Sequence, residues 1–144
     1  MDKKDIKFFV KRLFTKDLSL ESPEAPAIFD NIKATPKIAF NLKTAIATID
    51  DTTYDITLDI NVKAETENNV IYVVEVKQSG LFVIDGADDE LKDVFLNIRC
   101  PEVIFPYARE TISSLVQKAG FPPIFIAPID FNALYQQELS KKKH

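Results

Sequence analysis

Tyr54-Asp55-Ile56-Thr57-Leu58-Asp59-Ile60-Asn61-Val62-Lys63-Ala64-Glu65 alternates without a fault. Tyr54, Ile56, Leu58, Ile60, Val62 and Ala64 face one way; Asp55, Thr57, Asp59, Asn61, Lys63 and Glu65 face the other. Successive side chains of a strand point to opposite sides, so this is a strand with one buried and one wet face. Glu65-Thr66-Glu67-Asn68-Asn69 supplies a turn, and residues 70–78 return as a second strand. Upstream, residues 37–44 alternate in the same way, with Ile38, Phe40 and Leu42 against Lys37, Asn41 and Lys43. Residues 6–21 make a longer, irregular strand. Ile6, Phe8, Val10, Phe14, Leu18 and Leu20 share one parity, Arg12 and Lys16 interrupt it, and Asp17, Ser19 and Glu21 lie on the other. Four antiparallel strands with a hairpin in the middle follow.

Between the first two strands, Pro23, Pro26 and Pro36 forbid regular structure over residues 22–36. A loop this long is usually functional, and it carries Ile28, Phe29 and Ile32. After residue 88 the period changes. Leu91, Val94, Phe95 and Ile98 recur at helical spacing behind Asp88-Asp89, Cys100-Pro101 interrupts, and a second helix is expected over about 102–119. Ala108, Ile112, Leu115, Val116 and Ala119 form its stripe, and Gly120 with Pro122-Pro123 ends it. Asp130 is expected to cap a short last helix with Phe131, Leu134, Tyr135 and Leu139. Strands followed by helices give an α+β domain over residues 1–144: a four-stranded antiparallel sheet, a long kinked helix and a short C-terminal helix. Residues from about 140 to 144 are expected to be a disordered basic tail.

What the chain lacks narrows its chemistry. Its net charge of −4 provides no basic field for nucleic acid. One cysteine, Cys100, forms no internal disulfide and suits a reducing compartment. The only histidine, His144, sits at the chain end, where a catalytic pair or a zinc ligand is hard to hold. Gly80, Gly86 and Gly120 make no phosphate-cradling loop. Asp50-Asp51 and Asp88-Asp89-Glu90 could in principle serve a carboxylate enzyme, but a turn and a helix N-terminus explain them better. No signal-like or membrane-spanning run is present. The expectation is a cytoplasmic protein that binds other proteins, not an enzyme, with no cofactor, no metal and no membrane insertion.

Several stretches resemble the SecB protein-export chaperone family. They are Thr15-Lys16-Asp17-Leu18-Ser19-Leu20-Glu21-Ser22-Pro23-Glu24-Ala25-Pro26, then Phe105-Pro106-Tyr107-Ala108-Arg109-Glu110, and finally Gly120-Phe121-Pro122-Pro123 followed by Ile126-Ala127-Pro128-Ile129-Asp130-Phe131. Order and spacing match over roughly residues 6–139. The resemblance implies an ATP-independent holdase that keeps precursor proteins unfolded and passes them to the SecA motor. It also implies a homotetramer, a dimer of dimers with long helices between sheets. It points to Asp17, Glu21, Val73 and Glu75 for SecA, on an exposed and acidic sheet face. The surplus of apolar residues names Phe29, Ile38, Phe40, Leu42, Phe131, Leu134, Tyr135 and Leu139 as a groove for clients. With the resemblance, it names Ala108, Ile112, Ser113, Leu115 and Val116 for the interface between dimers, where Ser113 and Ser114 would permit close helix approach. Two other readings compete: a SecB-like chaperone dedicated to one partner such as an antitoxin, and a small carboxylate-dependent enzyme.

Overall fold

The computed structural model describes residues 5–32 and 34–142. The chain runs β1 (Lys7–Glu21), a helical turn α1 (Ile28–Asn31), β2 (Lys37–Thr48), β3 (Thr53–Glu65), β4 (Val70–Asp85), α2 (Asp89–Val94), a π-helical turn (Phe95–Arg99), α3 (Cys100–Lys118) and α4 (Phe131–Lys142). The strands form one antiparallel sheet in the order β1-β4-β3-β2. Tyr54, Ile56, Leu58, Ile60, Val62 and Ala64 of β3 are all buried, as are Tyr72, Val74, Val76 and Phe82 beside them on β4. The long helix covers this face with Ile104, Phe105, Ala108, Ile112 and Val116. Each fully buried aliphatic side chain here contributes about 1.5–3 kcal/mol, and the row as a whole sets which face is inside.

Two departures from the expected strands have physical causes. In β1 the register slips between Val10 and Arg12 and again between Thr15 and Asp17. Each bulge adds a residue and inverts parity. Leu13 and Thr15 therefore join Phe8, Val10, Leu18 and Leu20 on the helix side, while Phe14 pairs with Ser79 on the opposite face. The unpaired residues are Lys11 and Lys16, so the interruption at Arg12 follows the first bulge and that at Lys16 is the second. β4 continues to Asp85, past the expected end at residue 78. Ser79-Gly80 looks like a turn but lies inside the strand. A Cβ on Gly80 would sit 2.5 Å from Cε2 of Phe82 and 3.2 Å from Cγ1 of Ile104. The missing side chain lets the Phe82 ring and the long helix close over the strand.

The helical half is one rod from Asp89 to Lys118, 30 residues long. Cys100-Pro101 does not break it. Pro101 has no N–H to offer, and the ladder widens ahead of it, the Cys100 amide bonding to the Phe95 carbonyl. Asp88 caps the start, its carboxylate accepting from the Leu91 amide at 2.8 Å, and Asp130 caps α4 through the Ala133 amide at 3.0 Å. Asp50 accepts from the Thr52 and Thr53 amides in the β2–β3 turn, and the Thr52 bond lowers its pKa. α4 continues as helix through Lys142, so Ser140, Lys141 and Lys142 are not part of a disordered tail as expected; Lys143 and His144 lie outside the described residues.

The stripe assigned to an interface needs correction. Ala108, Ile112 and Val116 are wholly buried under the sheet's own helix layer. They are core, because the helix has one apolar stripe and its own sheet takes it. Ser113 and Leu115 are half-buried at the margins. No helix among the described residues is long and apolar enough to cross a membrane.

Candidate functional site

The rod lies over β4 and β3 and leaves β2 uncovered. Ile38, Phe40, Leu42 and Ile46 pair with Ala64, Val62, Ile60 and Ile56, so their side chains share the core face. Yet Ile38 is 47% exposed and Phe40 40%, whereas Val62 next to Phe40 is fully buried. The chain after α3 completes the site. Gly120 turns it with φ of +95°, a conformation glycine adopts without strain. Phe121 anchors the turn in the core, packed at 5.2 Å against both Phe29 and Tyr72, and burial pushes the Tyr72 phenol up. The segment 124–129 then forms the far wall of a groove of about 520 Å³, opposite Ile38, Phe40 and Val62. Every lining side chain is apolar, and Phe125 is 94% exposed. Such a surface offers no acid, base or nucleophile. What it can do is take apolar groups out of water, at about 25 cal/mol per Å².

The expected client residues divide. Ile38 and Phe40 line the groove, and Leu42 continues their row, half-buried. Phe29 is exposed at the edge of the Phe121 cluster, apart from the groove lining. Phe131 is corrected: it is 4% exposed and packs edge-on against Phe105 at 5.9 Å, so it belongs to the core. Leu134, Tyr135 and Leu139 sit on α4, which packs against the π-helical turn and does not line the groove. Sequence reasoning missed Ile124, Phe125, Ile126 and Ile129. Their signal was an apolar run hemmed by Pro122-Pro123 and Pro128, without the periodicity that marks a helix or strand.

The opposite face of the sheet is open. Register places Asp17 beside Lys77, Ser19 beside Glu75 and Glu21 beside Val73, so Asp17, Glu21, Val73 and Glu75 are neighbours on one surface. That surface is not uniformly acidic. Across the strands, Lys43, Asp59, Lys77 and Asp17 form a row of alternating sign. Lys16, extruded by its bulge, pairs with Asp55 and donates to Thr57 at 3.1 Å, and Thr57 shares a 2.7 Å hydrogen bond with Ser79. Glu75 faces the uncharged Asn61 and Ser19 across its pairs, with Lys77 two residues on along the same face.

The chain matches the family model of the preprotein translocase subunit SecB over residues 1–142. The protein-export protein SecB of Methylococcus capsulatus is 39% identical over 132 residues, 92% of this chain and 84% of that protein. Its counterpart from Chromobacterium violaceum is 41% identical over 135 residues, 94% of this chain and 89% of that protein. Among solved structures, a SecB-like chaperone of Mycobacterium tuberculosis in complex with an antitoxin peptide superposes with a TM-score of 0.68 at 12% identity. That match covers 85% of this chain and 90% of the other, and it shows a shared fold.

Proposed function

The chain belongs to the SecB protein-export family, and from that premise we propose that its apolar groove holds unfolded precursor proteins without nucleotide. The chain is an export chaperone, as its relatives are named. The observation that carries the mechanism is the groove between β2 and segment 124–129, apolar on every side and open to solvent. Only an unfolded chain presents several apolar segments at once, and several weak sites engaged together raise apparent affinity. Delivery to SecA uses the opposite face, around Asp17, Glu21, Val73 and Glu75, with Glu75 the leading charge. The working form is a cytoplasmic tetramer. Since Ala108, Ile112 and Val116 are core, its helix contacts fall to the outer side of α3, where Tyr107 is 51% exposed and Ser114 lies two turns further along the same side. The antitoxin-dedicated reading ranks second, because its support is a fold shared at 12% identity, against relatives at 39–41% named for export.

The test is calorimetric titration with one client in unfolded and folded form, without nucleotide. Binding of the unfolded form alone is expected, with about tenfold loss or more in Phe40→Asp and Phe125→Asp. Equal affinity for both forms would sink the reading. Glu75→Lys is expected to weaken SecA binding, most at low salt, and to leave client affinity unchanged.

A further inference from the structure

We infer that Lys16 is the positioning residue of the face proposed for SecA: latched across β4 to Asp55, it holds the strand register that turns Asp17 and Glu21 outward. The inference rests on the reading of that face given above and adds what keeps its carboxylates in place.

Lys16 is the residue left unpaired where β1 slips, between the pairs Thr15–Gln78 and Asp17–Lys77. A bulge releases one side chain from the ladder and re-aims it. Here the released side chain crosses β4, the strand between β1 and β3. Its ammonium pairs with Asp55 of β3 and donates to Thr57 at 3.1 Å. The β4 residue beside Thr57 is Ser79, small and wholly buried, which leaves room for the lysine stem to cross. The Asp55 side chain is 15% exposed against 39% for Lys16, so the pair is partly withdrawn from water and less screened than an open one.

The two halves of β1 are held differently. Before the bulge, Phe8 stacks on Phe82 and Phe95, and Val10 and Leu13 pack against the core. Thr15 donates to the Gln78 side chain at 2.8 Å. Beyond the bulge, Leu18 is 46% exposed and Leu20 half-buried. Burial therefore specifies the register of residues 17–21 weakly. Their far end is tied by the Ser22 hydroxyl, which donates to the Ile71 carbonyl at 2.8 Å. Their near end is tied by Lys16.

A slip that drew Lys16 into the ladder would move each later residue of β1 by one. Lys16 would stand opposite Lys77, Asp17 opposite Val76, Leu18 opposite Glu75 and Glu21 opposite Tyr72. Val76 and Tyr72 belong to the core side, so both carboxylates would leave the open face. Lys16 opposes that slip twice. The latch to Asp55 would be lost, and two like charges would meet across the strands. In the observed register Asp17 faces Lys77 instead.

Positioning and simple charge predict opposite outcomes. Lys16→Met removes a positive charge from the face, so charge alone would tighten the docking of a partner drawn to carboxylates. Loss of register is expected to weaken SecA binding instead, by about fivefold or more in calorimetric titration. Lys16→Arg is expected to stay within about twofold of wild type. The double variant Lys16→Met with Asp55→Asn restores the net charge and is expected to remain as weak as Lys16→Met alone. Affinity for an unfolded client is expected to be unchanged throughout, and the cross-strand NMR contact between Asp17 and Lys77 to be lost in Lys16→Met. SecA binding at or above the wild-type level in Lys16→Met, or its return in the double variant, would overturn the inference. So would an equal loss of client affinity, or persistence of the Asp17–Lys77 contact. If that contact is lost while Glu75→Lys binds SecA like wild type, the latch stands and the assignment of the face to SecA falls.

Discussion

β2 and β3 are written in the same alternating code and have opposite fates. Ile60 and Val62 are sealed under the long helix, whereas Leu42 and Phe40, their cross-strand partners, stand at or beyond its margin. A period of two states which side of a strand is apolar. Whether that side is covered depends on where a helix of fixed width comes to rest. One continuous face is thus divided: the covered half holds the fold together, and the uncovered half is the one we propose binds clients.

The sharpest way to break this comparison is to truncate matched residues on either side of the margin. Ile60→Ala is expected to destabilise the protein by about 2–5 kcal/mol in denaturant unfolding, because it removes methylenes and leaves a cavity. A loss no larger than that of an exposed position would mean the two halves are not distinct. Gly80→Ala probes the same covered half by overpacking. Its Cβ would meet the wholly buried Phe82 ring at 2.5 Å, and a loss of about 1–3 kcal/mol is expected. A neutral result would show that the helix stands off the sheet further than described.

Dryness under the rod can be read from Cys100, where burial pushes the thiol from 9.0 up to about 12. The folded pKa is the higher one, so the neutral thiol's contribution is fully present below about pH 9. It is lost as pH rises from there toward about 12, with a slope of up to about 1.4 kcal/mol per pH unit. Wild type should therefore lose stability relative to Cys100→Ala across that window. Parallel pH profiles of the two would place water beside the thiol. The smallest effect is expected for Phe40→Ala, at about 1 kcal/mol of stability or less, although client affinity falls in the same variant. A large loss of stability there would make Phe40 core and remove the contrast with Ile60.

Much of the fold could be read directly. The four strands, the capping by Asp88 and Asp130 and the stop at Gly120 are local signals, and local chemistry decided them. The errors fall where a neighbour decided instead. Phe14 was placed on the wrong side because bulges at Lys11 and Lys16 are settled by pairing with β4. The last strand is read to residue 78 and runs on to Asp85, because what a glycine at position 80 serves is the Phe82 ring and the arrival of Ile104. Cys100-Pro101 looked like a break because a π-helical turn can absorb a missing N–H only within a rod held by packing.

The site shows the same division. Ile38 and Phe40 were named from their alternation, and the structure exposes them. Phe131, Ala108, Ile112 and Val116 were named from an identical kind of stripe and are buried. Phe125, 94% exposed, carried no periodic signal at all.

The sequence by itself determined the α+β class, the inward face of each regular strand, the capped starts of the helices and the stop at Gly120. Each of these depends on residues within a few positions of one another. Only the tertiary structure decided which apolar rows are core and which are groove. That outcome depends on the rod's reach across the sheet, which stops short of β2, and on the return of segment 124–129 along the strand it left bare.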